Sequence, residues 1–139
     1  NTSAMLVHQL DRDSLLLTNS FEGLEKDILS IAEDYDSVYM FGVDPRLDGA
    51  VRVERCATLH GVSVSSNYDI QALSRKMVQQ NIHHSISDIP TQYLCNAAYY
   101  HILCRNKNTV FIHIPSIKGM NDALMDRLLT LFRKIPFDT

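Results

Sequence analysis

The sequence predicts a single α/β domain, a three-layer α/β/α sandwich around a mostly parallel, twisted sheet. Three observations predict it. The hydrophobic period switches repeatedly between helix-like and strand-like along the chain. Two short apolar runs, residues 37–42 and 109–114, read as buried strands, one ending in Gly42 and the other closed by Pro115. Between and around them lie segments whose apolar residues recur at helical spacing, each able to cover a sheet face. The 139 residues suit one core of ordinary size, and no repeat, low-complexity tract or linker divides them, so residues 1–139 are expected to form one domain.

Residues 2–10 read as a helix with Met5, Leu6 and Leu10 on a common side. Leu15, Leu16 and Leu17 suggest a short buried strand, and Leu24, Ile28, Leu29 and Ile31 a helix over residues 22–34. After the strand at 37–42, Asp44-Pro45 and Asp48-Gly49 mark a loop. Residues 50–59 follow as one half-buried strand, Val51 and Val53 alternating against Arg52 and Glu54. Residues 66–69 carry short oxygen-bearing side chains suited to opening a helix that runs to about Gln80 and buries Ile70, Leu73, Met77 and Val78. Residues 84–88 form a weak strand pattern, and a loop containing Pro90 leads into a helix over 92–104. The run at 109–114, β-branched and aromatic, is the clearest strand. A last amphipathic helix over 120–134 turns Leu124, Leu128, Leu131 and Phe132 inward, with Pro136 beyond it.

Composition narrows the function. Hydrophobic residues are 45% and charged residues 21%, an ordinary globular balance, and the net charge of −3 offers nothing to attract nucleic acid or an anionic membrane. No apolar run approaches the ~20 residues of a membrane span. The chain opens on Asn1, with no basic segment followed by an apolar one near it, so no signal peptide is expected. Cys56, Cys95 and Cys104 are too few and too odd for a disulfide scaffold, which points to a reducing, cytoplasmic setting. His8, His60, His83, His84 and His101 lack zinc-ligand spacing, and no glycine-rich phosphate loop is present, so neither metal nor cofactor is expected.

Three residues carry candidate chemistry. Cys95 stands just after a loop, near the start of a predicted helix, where backbone N–H groups favour a thiolate and can hold an oxyanion. A lone cysteine is more often a small core residue, the reading given to Cys56 and Cys104. His113 sits between Ile112 and Ile114, near the carboxyl end of the clearest strand, and its ring nitrogens need partners there. Strand ends of such a sheet gather active residues, so Cys95 and His113 are expected at one edge as a nucleophile–base pair. Glu54, which alone reads as a solvated carboxylate, is the candidate third group that orients the imidazole.

Several segments together resemble pyroglutamyl peptidase I, also called pyrrolidone-carboxylate peptidase. Residues 1–3, Asn-Thr-Ser, are similar to the Asn-x-Ser after that family's first strand and loop. Phe41-Gly42 and residues 53–57, Val-Glu-Arg-Cys-Ala, are similar to its strand–glycine and Ile/Val-Glu-Arg-x-Ala segments. Residues 87–96, Ser-Asp-Ile-Pro-Thr-Gln-Tyr-Leu-Cys-Asn, are similar to its nucleophile motif Ser-x-x-Ala-Gly-Thr-Tyr/Phe-x-Cys-Asn. Residues 110–115 are similar to its Phe-Ile-His-Val/Ile-Pro strand.

The resemblance implies a cysteine peptidase that removes an N-terminal pyroglutamyl group through an acyl-enzyme. Cys95 would be the nucleophile, His113 the base and Glu54 the orienting acid, with Tyr93 and Leu94 lining the lactam pocket. Its substrate would be a peptide or small amide, no cofactor is needed, and a homo-oligomer is allowed. Residues 1–139 hold no counterpart of the family's first strand or of its Thr-Gly-Phe-x-Pro-Phe loop. The loop after Glu54 is shorter than the family's and lacks its oxyanion arginine, and Pro90-Thr91 replace Ala-Gly. These departures keep two alternatives open, a divergent member with altered amide specificity or little activity, and a non-enzymatic α/β interaction domain.

Overall fold

A computed structural model of the chain describes residues 1–10, 35–91 and 94–135. The elements are α1 (Thr2–Leu10), β1 (Val38–Val43), β2 (Val51–Glu54), β3 (Cys56–Leu59), β4 (Val62–Ser65), α2 (Ile70–Gln79), β5 (His84–Ser87), α3 (Leu94–Arg105), β6 (Thr109–Ile114) and α4 (Asp122–Lys134). The strand expected at residues 15–17, the helix expected over 22–34 and the first two residues of the helix expected over 92–104 lie outside the described residues.

Four strands form the main sheet in the order β1-β6-β2-β5. The β1–β6 and β2–β5 pairs are parallel and the β2–β6 pair is antiparallel, so the sheet is mixed but mostly parallel. β6 is central and wholly buried. Its period-2 alternation sends Val110, Ile112 and Ile114 to one face and Phe111 and His113 to the other. The first set joins Val51 and Val53 of β2 and the inner sides of α1, α2 and α4 in a large apolar core. Phe111 joins Met40 of β1, Ala57 of β3 and Ala97, Tyr99, Ile102 and Leu103 of α3 in a second, smaller core. Helices therefore cover both sheet faces.

Local signals explain the ends. Asp69 caps α2 by accepting from the Ala72 N–H at 3.0 Å, and Asn121 caps α4 by accepting from the Leu124 N–H at 2.8 Å. Residues 66–68 precede α2: Ser66 Oγ accepts the Tyr68 N–H at 3.0 Å.

Four sequence expectations are corrected. The single strand expected over 50–59 is two strands in two sheets. β2 ends at Glu54, and Cys56 opens an antiparallel hairpin with β4, a strand the sequence pattern did not suggest. The hairpin turns on His60 and Gly61, whose φ values of 50° and 78° are both in the left-handed region, as a two-residue primed turn requires. Met5, expected on the same side as Leu6 and Leu10, is 47% exposed, and Val78, expected buried, is 66% exposed. Each neighbours a residue that faces fully inward, Leu6 and Met77, and a 100° helical step carries the next side chain outward. Cys104, read as packing, is exposed beside fully buried Leu103 for the same reason.

Candidate active site

One row across the sheet organises the site. In register, Gly42 of β1 lies beside His113, and Arg52 of β2 lies beside it on the other side. Glu54, two residues on from Arg52, shares its face. Val51 and Val53 alternate to the apolar core, so the Val-Arg-Val-Glu pattern of β2 delivers both charged side chains to the His113 face.

Glu54 is 4% exposed and His113 6%, so neither is a solvated surface group. His113 Nδ1 lies 2.9 Å from Glu54 Oε1. Burial by itself would raise the Glu54 carboxyl, but hydrogen bonds from His113 and Arg52, with the Arg52 charge, outweigh it and hold it below its ordinary value. Two unprotonated acceptors cannot share 2.9 Å favourably, so an ionised Glu54 requires the proton on Nδ1. In the neutral ring this puts the lone pair on Nε2, the tautomer a general base needs.

Cys95 is the second residue of α3 and is half-buried. Two contacts fix that helix. Tyr99, one turn after Cys95 and on the same side, donates its hydroxyl proton to the Glu54 carbonyl at 2.8 Å. Asn96 accepts the Thr58 N–H at 2.9 Å and donates back to the Thr58 carbonyl, which locks α3 to the hairpin. Gly42 supplies room: a Cβ there would stand 2.7 Å from the Phe111 ring and 3.3 Å from Cys95 Sγ. Phe111 in turn stacks on His113, the ring centroids 4.4 Å apart and tilted by 39°.

Glu54, Cys56, Thr91, Cys95, Asn96, Tyr99, Phe111 and His113 line one small cleft of about 180 Å³. The structure thus brings Cys95, His113 and Glu54 to the same cavity. Leu94 is half-buried at the start of α3, and Tyr93 lies outside the described residues. Burial pushes the Cys95 thiol up; its own backbone N–H opposes this, and the nearby Glu54 charge adds to it. The helix start alone therefore does not produce a resting thiolate. Burial also pushes Tyr99 up to about 12, so its hydroxyl stays a donor.

Sequence reasoning missed several site residues. Cys56, read as packing, lines the cleft, and its thiol donates to the Asp88 carbonyl at 3.2 Å. Arg52 and Asp44 were legible only as a charged strand position and a loop residue. Asp44 is 5% exposed, accepts from Arg52 Nη2 at 2.9 Å and carries a chelate from Arg46. The one available signal was the alternation of Arg52 and Glu54 against two valines. Among the described residues, no group of three or more His, Cys, Asp or Glu side chains could hold a metal ion. No described helix is long and apolar enough to cross a membrane.

Solved structures decide the fold. A pyrrolidone carboxyl peptidase from Thermus thermophilus superposes with a TM-score of 0.76 at 16% identity, covering 96% of this chain and 90% of its own. A mutant pyrrolidone carboxyl peptidase from the hyperthermophile Pyrococcus furiosus gives 0.77 at 20% identity, covering 99% and 91%. One from Thermococcus litoralis gives 0.73 at 16% identity, covering 100% and 89%. This is the pyrrolidone carboxyl peptidase fold. No family model matches the chain, and no curated protein matches it by sequence. The likeness to pyrrolidone carboxyl peptidases thus lies in the path of the backbone over nearly the whole chain, with few side chains in common.

Proposed function

We propose that the protein is a cysteine peptidase that removes an N-terminal pyroglutamyl group from peptides or small amides. The observation that supports it most is a single cleft holding Cys95 and a buried His113–Glu54 pair, in a chain with the fold of pyrrolidone carboxyl peptidases. In the reaction, His113 Nε2 takes the Cys95 proton as sulfur attacks the acyl carbonyl, and a tetrahedral oxyanion forms. Its collapse breaks the C–N bond, and the imidazolium gives its proton to the leaving amine. Water, deprotonated by the same Nε2, then attacks the thioester and returns the thiol. Glu54 holds Nδ1–H throughout and stabilises the imidazolium. The family resemblance assigns Leu94 and Tyr93 to the acyl-group pocket; among the described residues, Leu94 packs against the smaller core and is not part of the cleft wall. A reducing compartment such as the cytoplasm suits three free cysteines.

The wall of the cleft favours a second reading within the same chemistry. Thr91 of the altered nucleophile loop is part of that wall. A divergent specificity for another small acyl group fits this wall. Hydrolysis of a chromogenic pyroglutamyl amide, beside alanyl, prolyl and glutamyl amides, separates the two. Turnover of the pyroglutamyl amide alone, abolished by Cys95→Ala, is the expected result. Preference for another amide selects the second reading, and turnover that survives Cys95→Ala rejects both.

A further inference from the structure

Arg52 is the directly opposed cross-strand neighbour of His113, and it is not idle there. Its Nε donates to Glu54 Oε1 at 2.6 Å, the same oxygen that faces His113 Nδ1. Its Nη2 donates to Asp44 Oδ2 at 2.9 Å and lies 3.3 Å from His113 Nδ1. Because Nδ1 already carries a proton for Glu54, Arg52 has no acceptor in the ring; its action on the imidazole runs through the carboxylate. A guanidinium fork held at both ends has little freedom to leave Glu54.

We propose that Arg52 and Asp44 are positioning residues of the Cys95–His113–Glu54 site. Arg52 clamps Glu54 Oε1 so that His113 keeps its proton on Nδ1, and Asp44 holds Arg52 and offsets its charge. The inference rests on the cysteine-peptidase reading of that site. Asp44 has a clear electrostatic purpose in it. An unbalanced guanidinium 3.3 Å from the ring would oppose the imidazolium that attack by Cys95 creates. Asp44, anchored in the loop after β1 by Arg46, supplies the compensating charge on the far side of Arg52. The groups facing Glu54 are His113 from β6, Arg52 from its own strand, Cys95 and Tyr99 from α3 and Cys56 from β3, and Arg52 is the permanent cation among them.

The test uses the full chain with Arg52→Gln, Arg52→Lys and Asp44→Asn. It reads kcat and KM for the pyroglutamyl amide across the acid and neutral range, and the ¹⁵N NMR of His113. Arg52→Gln is expected to lower kcat on the order of 10- to 100-fold, by analogy with removing the outer partner of a metal-bound histidine. KM should change little, and the acid limb should move to higher pH, because Glu54 stays buried without its guanidinium. Its NMR should show loss of the single Nδ1–H tautomer. Arg52→Lys should be intermediate, and Asp44→Asn should show a smaller loss of kcat without the upward move of the acid limb, because Arg52 keeps its charge. A folded Arg52→Gln protein with the wild-type profile, or with lowered kcat and an unmoved acid limb, overturns the proposal. If Arg52→Gln does not fold, Arg52→Lys is read by the same two criteria. If the wild-type protein hydrolyses no amide, the functional reading fails. The tautomer then still decides: an Nδ1–H population unchanged in Arg52→Gln overturns the clamp, and a lost one supports it.

Discussion

The two faces of β6 differ in kind although their residues alternate along one six-residue strand. Toward α1, α2 and α4, Val110, Ile112 and Ile114 pack among the hydrophobic side chains of the larger core. Toward α3, Phe111 and His113 meet a ring, a thiol, a carboxylate and, through it, a guanidinium. The first face is held by area removed from water, which depends on volume and tolerates apolar exchange. The second depends on donors meeting acceptors, which tolerates almost nothing. Under the proposed reaction one strand carries stability on one side and chemistry on the other, and substitutions one residue apart should separate the two properties.

The largest expected effect breaks the chemical face alone. His113→Ala should lower kcat on the order of 10⁴- to 10⁶-fold, the range for loss of a base acting in concert with its nucleophile. Its neighbour should do the reverse. Ile112→Ala removes a fully buried side chain and should cost about 2–5 kcal/mol of stability. The molecules that remain folded should keep their turnover. Urea unfolding and active-site titration of both variants make the comparison. It fails if Ile112→Ala loses activity per folded molecule as severely as His113→Ala.

How much of this was legible in the sequence follows from the same contrast. The apolar face announces itself by period, so β1, β6, α2 and α4 and most of their inward residues could be read directly, Leu124, Leu128, Leu131 and Phe132 among them. Helix ends were legible where a cap side chain marks them, as at Asp69. The chemical face has no period of its own. Glu54 and Arg52 look like a solvated strand edge until α3 and the hairpin close over Glu54 and Asp44 meets Arg52, tertiary events that no local pattern contains. The break at Arg55 was hidden for a similar reason: residues 51–59 keep strand-like character across it, and only the change of partner from β5 and β6 to β4 divides them. Asp44 was least legible, because its importance lies in an arginine eight residues away that reads as surface.

A smaller effect is expected where the two properties meet. Gly42 is the point at which β1 must leave space for Phe111 and Cys95 together. In Gly42→Ala the new methyl would stand 2.7 Å from the Phe111 ring, which is only 2% exposed and cannot swing into solvent. The ring must shift, and it stacks on His113. Overpacking of this kind typically costs about 1–3 kcal/mol. Turnover should fall as well, because the same methyl would lie 3.3 Å from Sγ. The iodoacetamide reaction rate of Cys95, followed by peptide mapping, reports the second effect separately from unfolding. An unchanged rate and an unchanged unfolding midpoint would show that this contact does not matter.

The last comparison is electrostatic, and it varies with pH only in acid. The Arg46 side chain, and then the Arg46 backbone N–H and Arg52, hold the Asp44 carboxyl well below the usual range despite its burial. Glu54 is likewise lowered, His113 and Arg52 outweighing its burial. A group with a depressed folded pKa stabilises the fold fully above its unfolded value, about 4 for Asp and Glu. That contribution is lost as pH falls from there through the folded value. Wild-type stability should therefore be level through the neutral range, as far as these two groups decide it, and should decline below about pH 4–5, with unfolding taking up protons. Asp44→Asn removes one of the two ionisations. It should be less stable than wild type at neutral pH, on the order of 2 kcal/mol, because Arg52 stays largely buried with one anion instead of two. It should also lose less on acidification, so that the two stability curves converge. Urea midpoints measured from neutral pH down to the acid transition test this. Parallel curves, with the same loss below about pH 4–5 in both proteins, would mean that Asp44 is not the titrating carboxylate.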